Sequence, residues 1–415
     1  MRITSFRNRL TYTKIHTADE TSKKDIGYVA FENIYITGRN SFYPNALLYN
    51  NVIVISPYDE KIMSLNKDSF YDGNIFEIDH INIYKQVTTR IENPVFFFIY
   101  NFDNYYHFLY DTLPYLYTFL YLKKTIPKLK LLVNYPNKDK TEFYKFNLEF
   151  LEKLVSLDDL IIHCATNLYS KIYVSSSLTH GGFSNDPPRA EIHEIYDRIK
   201  QKVIIPPFLS LPKRIYISRR TWINQDSSNI GTDYTSRRKM MNEDTLVDVL
   251  REKHGFHEIF AENLTTDEKI ALFMNAEIVC GSIGGGMANL LFSPVTTQSI
   301  VIVTPYFLDI NYRFKYSMEH TNIEYFNNVS THLETGSRIP LYCRVKAKDD
   351  RIGEICDYRP ENQYLIRISN NDVAGFNNTM KFQEIWLDSN AFELLDNGLN
   401  SPYVVDTNTF IAYLR

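Results

Sequence analysis

Residues Val95–Pro114 read VFFFIYNFDNYYHFLYDTLP, and the first half of the chain is organised around this stretch. Val95–Tyr100 is an unbroken apolar run of buried-strand length. Asn101–Asn104 is a polar turn. The helix that follows carries His107 and Asp111. Side chains four positions apart share a helix face, so the imidazole and the carboxylate project together. They do so near a helix N-terminus at the end of a strand, where open α/β sheets build their sites.

Working outward, strand and helix patterns alternate. Leu129–Tyr135 reads as a strand, Lys140–Val155 as a helix, Leu160–His163 and Lys171–Val174 as short strands, and Arg189–Gln201 as a helix. That alternation predicts a parallel sheet with right-handed crossovers. Ser175–Pro188 is a loop by composition. Upstream, Tyr28–Phe31, Ile34–Ile36 and Asn51–Ile55 form a β-rich lead-in, and residues 61–94 give no clear pattern. Ile204–Lys213 holds three prolines. Such a segment neither continues a helix nor sits in a sheet centre, so it is expected to link two domains.

The second half restarts the alternation. Lys213–Ser218 is a strand ending at Arg219 and Arg220, and Thr221–Met241 is expected to be a mobile loop. Asn242 is the expected N-cap of a helix whose first turn holds Glu243 and Asp244, and Gly255 ends it after His254. Phe256–Phe260 is a strand. Thr266 is expected to cap a helix through Asn275. Ala276–Cys280 is a strand running into a glycine loop, and Gln298–Val303 is another strand. Leu341–Trp386 alternates as a small β insertion, and Tyr403–Leu414 reads as a closing helix. The expected domains are 1–205, 206–400 with an insertion near 341–386, and 401–415 as a helix returning to the first domain.

At 415 residues the chain is too long for one comfortable core. Its hydrophobic fraction of 44% and charged fraction of 23% are those of an ordinary globular protein. A net charge of −4 with no basic stripe excludes a nucleic-acid backbone as the expected partner. The 31 Tyr and 27 Phe accompany many Asn, Ile and Lys, as A/T-rich coding would produce, so they do not argue for sugar binding. Cys164 and Cys280 each end an apolar run and read as small core residues. Cys343 and Cys356 could pair, but four thiols in this length make no disulfide scaffold. The N-terminal residues have no apolar h-region, so a signal peptide is not expected. No run approaches membrane-span length. A cytosolic protein is therefore expected, in which the sequons at Asn263, Asn328 and Asn377 are chance matches.

The chemistry-bearing residues gather where strands give way to helices. The loop Gly281–Asn289 reads GSIGGGMAN. Consecutive glycines let backbone approach a ligand, and the amides of the next helix favour an anion such as a phosphate. A tight turn without ligand fits the same local sequence. It is neither a first-strand G-x-G-x-x-G nor a P-loop with its Lys-Ser/Thr. An arginine at the end of the first strand, across from such a loop, would neutralise a diphosphate leaving group. Taken alone, Arg219 and Arg220 read as solvated surface charges. Asn242, Glu243 and Glu262 stand where carboxylates hold ribose in nucleotide-binding folds, and helix capping accounts for them more simply. His107 and Asp111 are the residue types of a general base and its orienter, or of a structural pair. No histidine or cysteine set has metal-binding spacing. No Asp-x-Asp occurs to hold a divalent ion on a nucleotide sugar.

In order and spacing these residues resemble glycosyltransferase family 61. Its second half typically runs I-S-R, N-E, glycine-phenylalanine, E-x-L, then an alanine strand into G-x-H-G-A-G-L-x-N. The matches are Ile217-Ser218-Arg219, Asn242-Glu243, Gly255-Phe256, Glu262–Leu264, and Ala276–Asn289 followed by Leu290–Pro294. The family's N-x-x-H-x-x-x-D-x-x-P element falls on Asn104, His107, Asp111 and Pro114, and Tyr403–Asp406 resembles its C-terminal end. The resemblance implies an α/β GT-B fold: two Rossmann-like domains facing across a cleft. It implies inverting transfer from a UDP-sugar to a glycan hydroxyl, with no metal and no other cofactor. Arg219, Ser282, Gly284, Gly285, Gly286 and Asn289 would hold the diphosphate. Asn242, Glu243 and Glu262 would lie near the nucleoside. Asn104 and Tyr106 would accompany His107 and Asp111 on the acceptor side. Asp111 is the slightly preferred base, because a carboxylate is ionised at neutral pH without tuning. The family's loop histidine is Ile283 here and its alanine is Gly285. An isoleucine cannot hydrogen-bond a phosphate. Either backbone amides and Arg219 suffice, or the chain is a degenerate member that binds sugar nucleotide or glycan without turnover. Lack of a membrane anchor matches bacterial or viral members that build surface polysaccharide.

Overall fold

In a computed structural model of the chain the described residues are 4–5, 13–17, 25–37, 52–56, 61–65, 74–76, 89–100, 102, 104–135, 141–164, 167–179, 187–220, 238–303, 312–327, 329–330, 339–368, 383–395 and 401–414. The expected mobile loop over 221–237, positions 101 and 103 of the first turn, residues 180–186, and the sequons at 328 and 377 lie outside them. The fold is mixed α/β, in two compact units, Met1–Val203 and Ile204–Arg415. The division falls at the start of the proline-bearing segment.

The first unit is built on a mixed sheet. Its parallel part runs in the order Asn167–Ser175, Val95–Phe97, Lys130–Val133 and Leu160–Ile162, with Thr89–Ile91 also parallel to Asn167–Ser175. The lead-in joins this same sheet. Ile26–Thr37 pairs antiparallel with Asn167–Ser175, and Val52–Ser56, Lys61–Leu65 and Asn74–Phe76 continue outward from it. The stretch 61–94, which shows no clear pattern in sequence, thus contributes strands, including Thr89–Ile91 beside Asn167–Ser175. Val95–Tyr100 is buried throughout, as expected for a strand covered on both faces.

The helix after that strand is not one regular element. It runs as an α-turn Tyr105–His107, a π-helical segment Phe108–Thr112, a 3-10 turn Leu113–Tyr115, and an α-helix Leu116–Lys123. Pro114 is the physical cause. It has no amide to donate, although Leu113 before it keeps αR geometry. In a π pattern the amide five residues on would bond the Leu109 carbonyl, and that residue is Pro114. The Tyr196 hydroxyl donates to Leu109 O instead, at 3.0 Å. Tyr196 belongs to the helix Ile192–Lys200, whose other buried residues are Ile192, Ile195 and Ile199.

The second unit holds a five-stranded, wholly parallel sheet. Its spatial order is His257–Ile259, Arg214–Ile217, Ile278–Ser282, Gln298–Ile302, Asn322–Phe326. In chain order this is 2-1-3-4-5, a doubly wound arrangement with its topological switch point between the first and third strands. Alternate residues feed two cores. Ile215, Ile217, Val279 and Val301 face the helix Thr266–Asn275 and the 3-10 helix Gly285–Phe292, through Phe273, Met287 and Leu290. Tyr216, Cys280, Ile300 and Ile302 face the helix Glu243–His254 through Leu246, Val247 and Leu250.

The expected β insertion is a five-stranded antiparallel sheet in the order Gln383–Asp388, Gln363–Ile368, Ile352–Arg359, Arg344–Ala347, Phe392–Leu395. It has its own small core of Val345, Ile355 and Ile366. The closing segment is a short strand, Val404–Val405, and a helix, Thr407–Tyr413, capped by Asp406. This tail is built into the second unit. Tyr403, Val405 and Phe410 are buried in the second unit's core, and the Phe410 ring meets Phe326 edge-on.

Three smaller expectations also change. Asn242 makes no capping bond. The cap of the next helix is Thr265, in a reciprocal box with Glu268. Cys164 is exposed rather than core, Cys280 and Cys343 are buried, and no disulfide joins any of the four, all of which are described residues.

Candidate functional site

Each unit carries its own constellation. In the second unit Ser218 continues the first strand, its amide donating to Ile259 O at 3.0 Å, and the chain leaves the sheet at Arg219. Arg219 Nη1 then donates to Ile283 O at 2.9 Å. A Cβ placed on Gly284 would lie 3.5 Å from the Arg219 guanidinium, so loop and arginine lie against one another. The first and third strands are direct neighbours, and their C-terminal ends mark the switch point, the place where open α/β sheets bind ligands. The guanidinium and the glycine loop meet there.

The three glycines differ. A Cβ on Gly286 would stand 2.7 Å from Ile217 Cγ2, so a bare backbone is needed for the loop to lie on the first strand. Gly285 is half-buried, and a Cβ there would meet nothing within 4 Å. It is the loop residue whose surroundings are open. The element after it is a 3-10 helix, Gly285–Phe292. Ile283, where the resemblance puts a histidine, turns its side chain into the core beside Ile215, Ile217 and Val303. Its carbonyl holds Arg219.

Beneath the loop lies a polar layer. Glu243 opens the helix Glu243–His254 and is 1% exposed. Its Oε1 accepts from the Arg219 amide at 2.9 Å, the Tyr216 hydroxyl at 3.1 Å and Ser218 Oγ at 3.4 Å. Burial raises the carboxyl above its usual range, against the opposing Arg219 amide and Tyr216 bonds. Burial, then the Glu243 charge, also holds the Tyr216 hydroxyl well above a phenol's ordinary value. Ser282 accepts from the Tyr403 hydroxyl at 2.8 Å, and burial pushes that hydroxyl up to about 12. Asn289 is buried and donates to Gly286 O at 2.9 Å, closing the loop on itself.

Asn242 sits apart from this layer. Its side chain brackets the tail, donating to Val405 O at 2.8 Å and accepting from Val405 N at 3.0 Å. Glu262 is half-buried in the 3-10 turn Ala261–Asn263. Arg220 is paired with Glu258 and Asp244. Burial works against its charge, but those two carboxylates hold it protonated.

In the first unit His107 Nδ1 and Asp111 Oδ2 are 2.6 Å apart. Asp111 is 1% exposed and His107 is 9%. Asn104 caps the turn, its Oδ1 accepting from the His107 amide at 3.2 Å. Tyr106 is buried, with its ring edge-on to His107 and stacked on Tyr110. The π-helical segment spans Asp111, an irregularity common at functional sites. Burial, and then Tyr106 and Asp111, hold the Tyr196 hydroxyl well above its ordinary range, so it is a fixed donor beneath the dyad.

Sequence reasoning gave no role to Tyr196, Tyr216 or Tyr403. Only Tyr403 left a trace, in the likeness of Tyr403–Asp406 to the family's C-terminal end. Among the described residues no three His, Cys, Asp or Glu side chains gather as a metal-binding group. Among them also, no helix is long and apolar enough to cross a membrane.

The chain thus carries an arginine and a glycine loop at the switch point of a doubly wound sheet, the place where folds of this kind bind their ligands. The family model described as Glycosyltransferase 61 matches residues 105–300, which run from the His107–Asp111 turn into the fourth strand of the parallel sheet. Over that span the chain is similar to glycosyltransferase family 61. No curated protein matches it in a sequence search.

Proposed function

We propose that this glycosyltransferase moves a sugar from a UDP-sugar to a glycan hydroxyl, in making a surface polysaccharide or a glycoprotein glycan. Transfer inverts the anomeric carbon and needs no metal ion. The carrying observation is the meeting of Arg219 with Ile283 O and Gly284 at the switch point. In this reading the diphosphate lies against the guanidinium and the loop amides. A guanidinium has five donors in a fork suited to phosphate oxygens, and its fixed charge meets the charge that develops on the leaving UDP. The two units act as the Rossmann-like halves of a GT-B enzyme, with the His107–Asp111 pair facing the acceptor.

The geometry of that pair favours His107 as the base, where ionisation alone favoured Asp111. Asp111 is the more buried and is bonded to Nδ1. The proton would then pass from the acceptor hydroxyl to His107 Nε2, with Asp111 fixing the tautomer and steadying the imidazolium. As that O–H proton leaves, the oxygen attacks C1, the C1–O bond to the diphosphate breaks, and UDP departs.

A second reading, a sugar-nucleotide or glycan-binding protein without turnover, is favoured by Ile283. Its burial argues that the loop was not left with a vacant side-chain role, since the backbone carbonyl is what engages Arg219. UDP release measured over a panel of UDP-sugars, with and without glycan acceptors, separates the two. Turnover of one donor, unchanged by EDTA, is expected. UDP binding with no turnover from any donor would establish the second reading, and loss of activity in EDTA would refute metal independence.

A further inference from the structure

We propose that Glu243 is a positioning residue for the diphosphate subsite: it fixes Arg219 and does not touch the donor. This rests on the reading that Arg219 and Gly284–Gly286 hold the diphosphate. Three donors converge on one carboxylate oxygen, Oε1, and one of them is the Arg219 backbone amide at 2.9 Å. The other oxygen, Oε2, is buried and without a hydrogen-bond partner among the described residues. A carboxylate only 1% exposed does not present that oxygen to a ligand in a loop above it.

What Glu243 does reach is the root of the arginine. The main chain is pinned on one side where Ser218 N bonds Ile259 O in the sheet, and on the other where Arg219 N bonds Glu243. Between these two pins the arginine leaves the strand in one direction. Its guanidinium then meets Ile283 O at 2.9 Å and lies over Gly284. The link therefore runs from the helix N-terminus through a carboxylate, a backbone amide and a guanidinium to the glycine loop. Burying a carboxyl is costly, and an acceptor for a buried amide and a buried phenol is what this one provides. A neutral amide oxygen at the same place would serve equally. The same placement explains why a glutamate beside the candidate subsite need not be a ribose ligand.

The test measures binding of UDP, uridine and inorganic pyrophosphate to the full chain by calorimetry. Glu243→Gln keeps the acceptor oxygen and should bind all three within about threefold of the parent. Glu243→Ala frees Arg219 and should weaken UDP and pyrophosphate by about ten- to a hundredfold, the scale of a small misplacement at a site, while uridine is unchanged. A uridine affinity that falls together with UDP would mean that Glu243 touches the nucleoside, and would overturn the proposal. Should the alanine variant not fold, Glu243→Gln carries the test. Retained pyrophosphate binding supports the proposal, and a loss of about tenfold or more overturns it. Arg219→Ala separates the two layers of the argument. If it leaves UDP and pyrophosphate binding intact, the diphosphate reading itself fails. If it weakens them while Glu243→Ala does not, only the positioning role fails.

Discussion

The Arg219 constellation stands on the most regular part of the molecule, and the His107–Asp111 pair stands on the least regular. In the second unit a parallel sheet in 2-1-3-4-5 order brings two strand ends side by side, and a guanidinium and a glycine loop inherit that geometry. In the first unit a proline breaks the helix into α, π and 3-10 pieces. The dyad depends on a tyrosine from another helix to satisfy a carbonyl that Pro114 cannot. An anion subsite can be assembled from backbone, which a regular sheet positions cheaply. A base needs one side chain aimed at one atom, and in the proposed reading burial and a bonded partner would fix that aim.

The sharpest way to break this contrast is at the dyad. Asp111→Asn or His107→Ala should lower turnover by about 10²–10⁴-fold, the range of a positioned general base, with the far-ultraviolet circular dichroism unchanged. If His107 is the base, its alanine variant loses at least as much as Asp111→Asn. The opposite order would return the role to Asp111. At the second constellation Arg219→Ala should lower turnover by about 10²–10³-fold, as expected when one group that stabilises a leaving charge is removed. Unlike the dyad variants, it should also weaken UDP binding. Equal UDP affinity in parent and variant would show that the arginine is not at the diphosphate.

A pair of loop variants sharpens the comparison on the scale of stability. Gly286→Ala puts a Cβ 2.7 Å from Ile217 Cγ2 and should cost about 1–3 kcal/mol in denaturant unfolding, as overpacking does. Gly285→Ala meets nothing within 4 Å, so it should leave stability unchanged and weaken UDP. If both behave alike, the loop has no ligand-facing side.

The smallest effect concerns pH. Glu243 is raised by burial, so its folded carboxyl binds a proton more readily than its unfolded one. Its contribution favours folding below the unfolded value and is lost as pH rises through the folded value. Glu243→Gln should therefore be as stable as the parent, or more so, at neutral pH. The advantage should shrink as pH falls toward the ordinary carboxylate range. A Gln variant that loses stability on going to neutral pH would contradict the assignment of burial as the dominant cause.

Much of this was legible in the chain itself, and the exceptions have physical reasons. The strand at Val95, the parallel alternation of the second half, the β insertion and the stop at Gly255 all follow from local pattern, because each is decided by neighbours in sequence. Gly255 sits in the left-handed region as a C-cap requires. The roles that eluded sequence are long-range. Asn242 reads as a helix cap but brackets Val405, 163 positions away, and no local pattern signals that. The Thr265–Thr266 pair offers two caps one residue apart, and the reciprocal bond with Glu268 selects the first. The closing helix could be recognised as a helix, but not by which core it would complete. Ile283 looked like a lost ligand because sequence shows residue types, whereas the part that engages Arg219 is a carbonyl that every residue has.

The account turns on where the diphosphate lies, and a crystal structure of the full chain with UDP bound tests that most directly. It should show the β-phosphate within hydrogen-bonding distance of the Arg219 guanidinium and the backbone amides at Gly285 and Gly286, with Glu243 still buried on the Arg219 amide. UDP bound elsewhere in the second unit, with Arg219 still engaged only by protein, would contradict it.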